Sequence, residues 1–190
     1  RLAALMYRQN ATLRANAVGN FGVLLHAVAR DPAMMIWLDT VQNRRGHPNE
    51  NFAREAMELF TLGEGHYSER DVQEAARAFT GWSIDRDTGA FAFRPRLHDN
   101  DMKTVLGHTG NFDGDAVLDL ILHEPRAAQF ITEALWREFV SPDPDPRAVA
   151  RVATQFRASG YDIRTALRDL FNEDAMYAPA TRGVQVKAPV

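Results

Sequence analysis

Carboxylates gather on one short stretch of the chain, residues 48–63, which reads PNENFAREAMELFTLG. At about 100° per residue, one sector of a helix here holds only polar side chains. These are Glu50, Asn51, Arg54, Glu55 and Glu58. Glu55 and Glu58 lie on adjacent turns, where two carboxylates can share a divalent cation or a proton. The residue types therefore raise the hypothesis of a metal or acid–base site on this helix.

The same charges also fit a solvated helix face. Glu50 and Arg54, and then Arg54 and Glu58, are spaced four residues apart, and such pairs stabilise a helix by about 0.2–0.5 kcal/mol each. Glu50 also lies in the first turn, where the helix dipole favours an anion. Spacing alone therefore favours a structural face and leaves a site as the alternative.

A second polar group follows in the segment HDNDMK, where His98 and Asp99 precede Lys103. One helix cannot complete a site for a hard metal ion, so further ligands must come from another segment. The candidate metal ligands are then Glu55, Glu58, His98 and Asp99, with a divalent metal as the cofactor they would bind. An ordinary turn is the alternative, because Asp often bonds its own backbone in turns.

Composition limits the classes of function. The chain has 190 residues, no cysteine and a net charge of −3. Thiolate metal sites, disulfides and Cys nucleophiles within it are therefore excluded. With no concentrated run of basic residues, we expect no nucleic-acid binding. The apolar runs are too short and interrupted to cross a membrane, so we expect no membrane span.

Helical patterns dominate the chain. Candidate N-caps precede most of the apolar periodic runs, among them Asn20, Asp31 and the capping box of Ser68 and Asp71. The alternating segment FAFRPRL and the segment KTVLG predict one small β-hairpin over about 91–106. We therefore expect a mainly α, multi-helix single domain over 1–190.

The helix expected over 51–62 should bury one apolar face. Phe52, Leu59 and Phe60 lie on the side opposite the carboxylates and should pack against the helix over 72–79. The chain begins inside a helical pattern and stops shortly after a proline, so we interpret it as a fragment truncated at both ends.

Five segments together resemble a bacterial family called domain of unknown function 1800. They are RQNATLRANAVGNFGVLLHAVARDPAMMIWLD, PNENFAREAMELFTLGEGHYSERDVQEAARAFTGW, FAFRPRLHDNDMKTVLG, GNFDGDAVLDLIL and WREFV, so the resemblance covers nearly the whole chain. Matching positions are Asn49, Glu50, Asn51, Arg54, Glu55, Glu58, Gly81, Trp82, His98, Asp99 and Lys103. The sequence departs from the family pattern at Ala56, usually Leu, and at Asp101, usually Gly.

The resemblance implies an exported bacterial protein, periplasmic or extracellular, of more than twice this length. Members are often encoded beside a second exported family, domain of unknown function 1501, which resembles sulfatase and phosphatase folds. We therefore expect a scaffold or partner-binding module that acts with such a protein. The alternative is a metal-assisted hydrolase whose Glu, His and Asp site is completed by an upstream His-Asn-His segment of the family, absent from this sequence.

Overall fold

A computed structural model describes residues 2–184, and within them the chain is mainly α-helical, as expected from the sequence. The helices are α1 (Leu2–Asn16), α2 (Phe21–Ala29), α3 (Pro32–Trp37), α4 (Asn51–Glu58), α5 (Glu69–Ala78), α6 (Gly114–His123), α7 (Pro125–Phe139), α8 (Pro146–Ala158) and α9 (Ile163–Phe171). None of these helices is long and apolar enough to cross a membrane.

The predicted helix caps are confirmed. The side chain of Asn20 accepts a hydrogen bond from the first turn of α2, and Asp31 accepts two from the first turn of α3. Ser68 and Asp71 form the reciprocal capping box at the start of α5. Each cap satisfies backbone N–H groups that the first turn of a helix leaves unpaired.

Four short strands form two separate hairpins instead of the single hairpin expected over 91–106. Strand β1 (Trp82–Ile84) pairs antiparallel with β2 (Phe91–Phe93), and β3 (Lys103–Val105) pairs antiparallel with β4 (His108–Gly110). The segments FAF and KTV are therefore strands, but neither pairs with the other. Consequently, His98 and Asp99 lie in the connection between two hairpins and not at a hairpin tip.

Aromatic rings join α4, α5 and β1 in the core. The Phe52 and Phe79 rings meet edge to face with centroids 4.8 Å apart, and Phe79 and Trp82 do so at 5.1 Å. Helix α6 begins against these rings at Gly114, where a Cβ atom would lie 2.4 Å from the Trp82 ring. Only glycine permits this close approach of backbone to ring.

The buried face of α4 differs from the expectation at one residue. Helix α4 ends at Glu58, and the N–H groups of Leu62 and Gly63 both bond to the carbonyl of Met57. This tight turn directs Leu62 inward, with no exposed surface, and leaves Leu59 58% exposed. The inward packing predicted for Leu59 is therefore wrong, whereas that predicted for Phe52 is confirmed.

Candidate functional site

Arg54 organises the polar face of α4. Its two terminal nitrogens bond to both carboxylate oxygens of Glu69 at 2.8 and 2.7 Å, and one of them also bonds to Glu50 at 3.1 Å. The hydrogen bond to Glu69, followed by that to Glu50, raises the pKa of Arg54 above its ordinary value. Arg54 therefore connects α4 to the start of α5, and the expected pair with Glu58 is not formed among the described residues.

Glu58 and Glu55 have different surroundings although they lie one turn apart. Glu58 accepts a hydrogen bond from the Tyr67 hydroxyl at 2.7 Å. The pKa of Tyr67 is raised to about 12, mainly by burial and secondly by this hydrogen bond. Glu55 is half-buried, and its carboxylate makes no hydrogen bond or ion pair with any residue in 2–184. Asn51 lies exposed at the start of the helix.

Asp99 is the acceptor of a two-bond ion pair. Arg77, in the last turn of α5, donates to its two oxygens at 2.8 and 3.3 Å. Arg77 also bonds to Glu74 at 2.9 Å, and Glu74 in turn accepts from the backbone N–H of Thr104. The Arg77 hydrogen bond is the main cause that holds the pKa of Asp99 below its usual value. The ion pair of Asp99 with Arg77 thus holds the segment that connects the two hairpins against α5.

Lys103 bonds to the backbone of the same connecting segment from its buried side. Its ammonium group donates to the carbonyl oxygens of Asp99 at 2.6 Å and of Asp101 at 2.9 Å, and the residue is only 1% exposed. Burial lowers the pKa of Lys103. The resemblance implies Gly in place of Asp101, but the backbone of Asp101 does not adopt the left-handed conformation that favours glycine. The turn therefore accepts a non-glycine residue there.

His98 is buried and bonded to the end of α5. Its Nδ1 lies 2.9 Å from the carbonyl oxygen of Thr80, which assigns the proton to that nitrogen. The Thr80 hydroxyl accepts from the backbone N–H of Asp99 at 2.8 Å and donates to the carbonyl of Arg77. We call His98, Asp99 and Lys103, with Arg77, Glu74 and Thr80, the Arg77 cluster.

Gly81 brings two loops against the Arg77 cluster. Its N–H donates to the carbonyl of Asn43, and its carbonyl accepts from the N–H of Arg94. The Asn43 side chain bonds to the carbonyl of Ala76 and accepts from the N–H of Asn49. Loop 43–49, which leads into α4, therefore lies beside the segment that leads into His98.

The residues present do not fit the metal site that the sequence suggests. Within residues 2–184, no group of three or more His, Asp or Glu side chains is placed to hold a metal ion. Glu58, His98 and Asp99 already bond to protein groups, and no polar contact joins Glu55 or Glu58 to His98 or Asp99. Metal binding through these four residues stays a prediction, because the described part of the chain contains no set of side chains placed to bind the ion.

Two open clefts adjoin on the side of loop 43–49. The first, the polar cleft, encloses about 840 Å³ and is lined mainly by polar side chains of residues 42–51. The second, the α1 cleft, encloses about 880 Å³ between α1, the end of α3 and the β1–β2 turn. Val41 and Leu97 line both clefts and form a ridge between them.

Several residues that position this site were missed by the sequence analysis. Glu74, Arg77 and Thr80 supply the partners of the predicted His98 and Asp99. A signal existed, because Asp71, Glu74 and Arg77 recur every three residues and so share one side of α5. The apolar side of the helix predicts its packing, but the partners of the polar side lie in a distant segment that spacing alone does not identify.

A family model described as "Protein of unknown function (DUF1800)" matches residues 1–190. No curated protein and no solved structure matches the chain.

Proposed function

We propose that this chain, which belongs to the DUF1800 family of proteins of unknown function, is a partner-binding module. In this proposal it holds an exported protein of sulfatase- or phosphatase-like fold, encoded beside it, through the ridge between the two clefts. Export and the identity of the neighbour are supported by the family resemblance described above.

The exposed apolar side chains at the clefts are the observation that carries the proposal. Ile36, Val41 and Leu97 are 45%, 40% and 40% exposed, and all three line the α1 cleft. Trp37, which follows Ile36 at the end of α3, is 73% exposed. Exposed apolar patches rimmed by polar residues mark interaction sites in soluble proteins. A partner that covers this ridge would remove the patch from water.

The internal contacts of three residues of the predicted polar face support the same proposal. His98, Asp99 and Lys103 are buried, and their polar groups bond to Thr80, Arg77 and backbone carbonyls. Groups with such bonds rigidify a connection between elements. The Arg77 cluster therefore serves to hold the segment that carries Leu97 in a fixed position at the ridge.

Co-purification of the full-length protein with its encoded neighbour tests the proposal. We expect the two proteins to associate, and we expect Val41→Ser/Leu97→Ser to weaken the association because it removes the apolar ridge. Leu13→Ser/Val23→Ser is the control, since both residues are exposed but line neither cleft. No association under mild conditions, together with turnover by the protein alone, would contradict the proposal.

A metal-assisted hydrolase is the alternative function. Its one structural support is Glu55, a half-buried carboxylate without a bonded partner in residues 2–184. Elemental analysis of the full-length protein after purification without chelators tests it. A stoichiometric divalent metal that is lost in Glu55→Gln would favour this alternative over the binding module.

A further inference from the structure

We propose that the partner segment seated on the ridge is an acidic peptide with interspersed apolar side chains, which arginines beside the two clefts recognise. This inference rests on the proposed function and adds the chemistry of the partner. It is based on charge complementarity: cationic side chains that have no bonded partner in the described part of the chain lie beside an apolar ridge.

Four arginines near the ridge keep their guanidinium groups available. Arg8, Arg44, Arg45 and Arg96 make no side-chain hydrogen bond or ion pair with any residue in 2–184. By contrast, Arg54 and Arg77, described above, each bond to two carboxylates. A free guanidinium presents a planar fork of donors that matches a carboxylate with two parallel hydrogen bonds.

A tight turn fixes two of these arginines beside the ridge. The backbone N–H and carbonyl groups of Arg44 and His47 bond to each other across Gly46, whose φ of +79° suits glycine. The N–H of Arg45 donates to the carbonyl of Leu97 at 2.8 Å. The turn is therefore attached to the residue that forms one half of the ridge.

Both clefts contain cationic side chains on opposite sides of the ridge. Arg44 lines the polar cleft, whereas Arg8 and Arg94 line the α1 cleft. A segment lying across Val41 and Leu97 would therefore meet guanidinium groups on both flanks. Alternating acidic and apolar side chains on that segment would match this order of groups.

The acidic side chains of the clefts are largely occupied. Glu50 in the polar cleft bonds to Arg54. Asp85 in the α1 cleft accepts from the hydroxyl and N–H of Thr88 and from the N–H of Asp87. Hydrogen bonds from Thr88 are the main cause that lowers the pKa of Asp85. The lowered pKa keeps Asp85 ionised, so an acidic partner must avoid both Asp85 and the exposed Asp87.

A peptide fits these features better than a nucleic acid or a charged polysaccharide. Phosphate and sulfate polymers are held mainly by charge, and the whole chain carries a net charge of −3. They also offer little apolar surface to cover Val41 and Leu97. A peptide supplies carboxylates and apolar side chains together, as the core and rim of protein interfaces do.

Peptide binding to the full-length protein tests the inference. The probes are a fluorescent peptide that alternates Leu with Glu, the same peptide with Lys in place of Glu, heparin and single-stranded DNA. We expect the Glu peptide to bind best, with an affinity that falls as salt rises. Arg44→Gln/Arg45→Gln should weaken it roughly tenfold, because two flanking charges are lost.

Arg147→Gln/Arg164→Gln is the matched control, since it removes the same charge from exposed arginines of α8 and α9 and should leave binding unchanged. Stronger binding of heparin, DNA or the Lys peptide would overturn the inference, as would equal binding by both double variants. If the encoded neighbour binds wild type and Arg44→Gln/Arg45→Gln equally, the inference fails while the proposed function stands. If the neighbour does not bind wild type, the proposed function fails.

Discussion

Gly81 lies so close to His98 that no side chain fits between them. A Cβ atom built on Gly81 would lie 3.2 Å from the Cβ and from the backbone nitrogen of His98, and 2.8 Å from the carbonyl oxygen of Arg94. Gly81 also has a φ of +84°, in the left-handed region. This close approach brings Gly81, which follows the C-terminal end of α5, against the segment that carries His98 and Leu97, so the contact requires glycine at position 81.

Gly81→Ala should therefore destabilise the protein by roughly 2–4 kcal/mol, because left-handed strain and a backbone clash add together. Gly46→Ala is the matched control, since its φ is +79° but a Cβ atom there would meet nothing within 4 Å. It should lose only about 1–2 kcal/mol from strain. Urea unfolding of both variants measures the difference, and equal losses would show that the close contact is not rigid.

Asp99→Asn should remove a pH-dependent part of the stability. The pKa of Asp99 is lowered in the folded state, so the unfolded state binds more protons as the solution is acidified. The contribution is complete above the unfolded pKa of about 3.9 and is lost as pH falls through the lower folded pKa.

At pH 7 the variant should lose roughly 2–4 kcal/mol, because the pair with Arg77 is mostly but not fully buried. The difference from wild type should shrink below pH 4, as measured by unfolding at several pH values. Asp143→Asn, an exposed carboxylate without a side-chain hydrogen bond in the described residues, should show neither effect. A difference constant from pH 7 to pH 3 would show that the ionised carboxylate is not what stabilises the connection.

Met57→Ala and Leu59→Ala should differ in their effect on stability, because the two residues lie on opposite faces at the end of α4. Met57 has no exposed surface, so its truncation should cost about 2–5 kcal/mol. Leu59 is 58% exposed, and its truncation should change stability by less than about 0.5 kcal/mol. Thermal unfolding measures both, and a larger loss in Leu59→Ala would restore the face expected from the sequence.

Local signals explain what could be predicted from the sequence. Each helix cap is formed by a side chain within three residues of the N–H groups it accepts from, so Asn20, Asp31 and Ser68 were identified by their neighbours. The turn between β3 and β4 has no such signal, because Leu106 occupies a left-handed position with a φ of 50°. Asn or Asp is usual before glycine in such two-residue turns, so this hairpin was not expected.

The candidate site was predicted only in part for a similar reason. His98, Asp99 and Lys103 do lie together, as their closeness in the chain indicates. Their partners Arg77 and Thr80 come from a different helix and its C-terminal end, and a contact across about 20 residues leaves no periodic pattern in the sequence. The carboxylates of α4 remained ambiguous because spacing alone cannot distinguish a solvated face from a site.

Glu55→Gln/Glu58→Gln distinguishes the two proposed functions. Stability should fall by no more than about 1 kcal/mol. The amide introduced in place of Glu58 would still offer an oxygen to the Tyr67 hydroxyl. Glu55 has no bonded partner in the described residues, so its replacement breaks no bond there. Partner binding should persist, because neither residue lines the polar cleft or the α1 cleft. Pull-down of the encoded neighbour by the variant measures this, and loss of a metal-dependent activity in the same variant would support the hydrolase.

Hydrogen exchange of the full-length protein, alone and with its encoded neighbour, tests the ridge as a docking surface most directly. We predict that the neighbour slows amide exchange in 36–51 and 91–97, which carry the ridge and the turn of Arg44 and Arg45, and leaves α8 and α9 unchanged. Slower exchange confined to α8 and α9, or no difference at a concentration where both proteins are soluble, would contradict the proposed function.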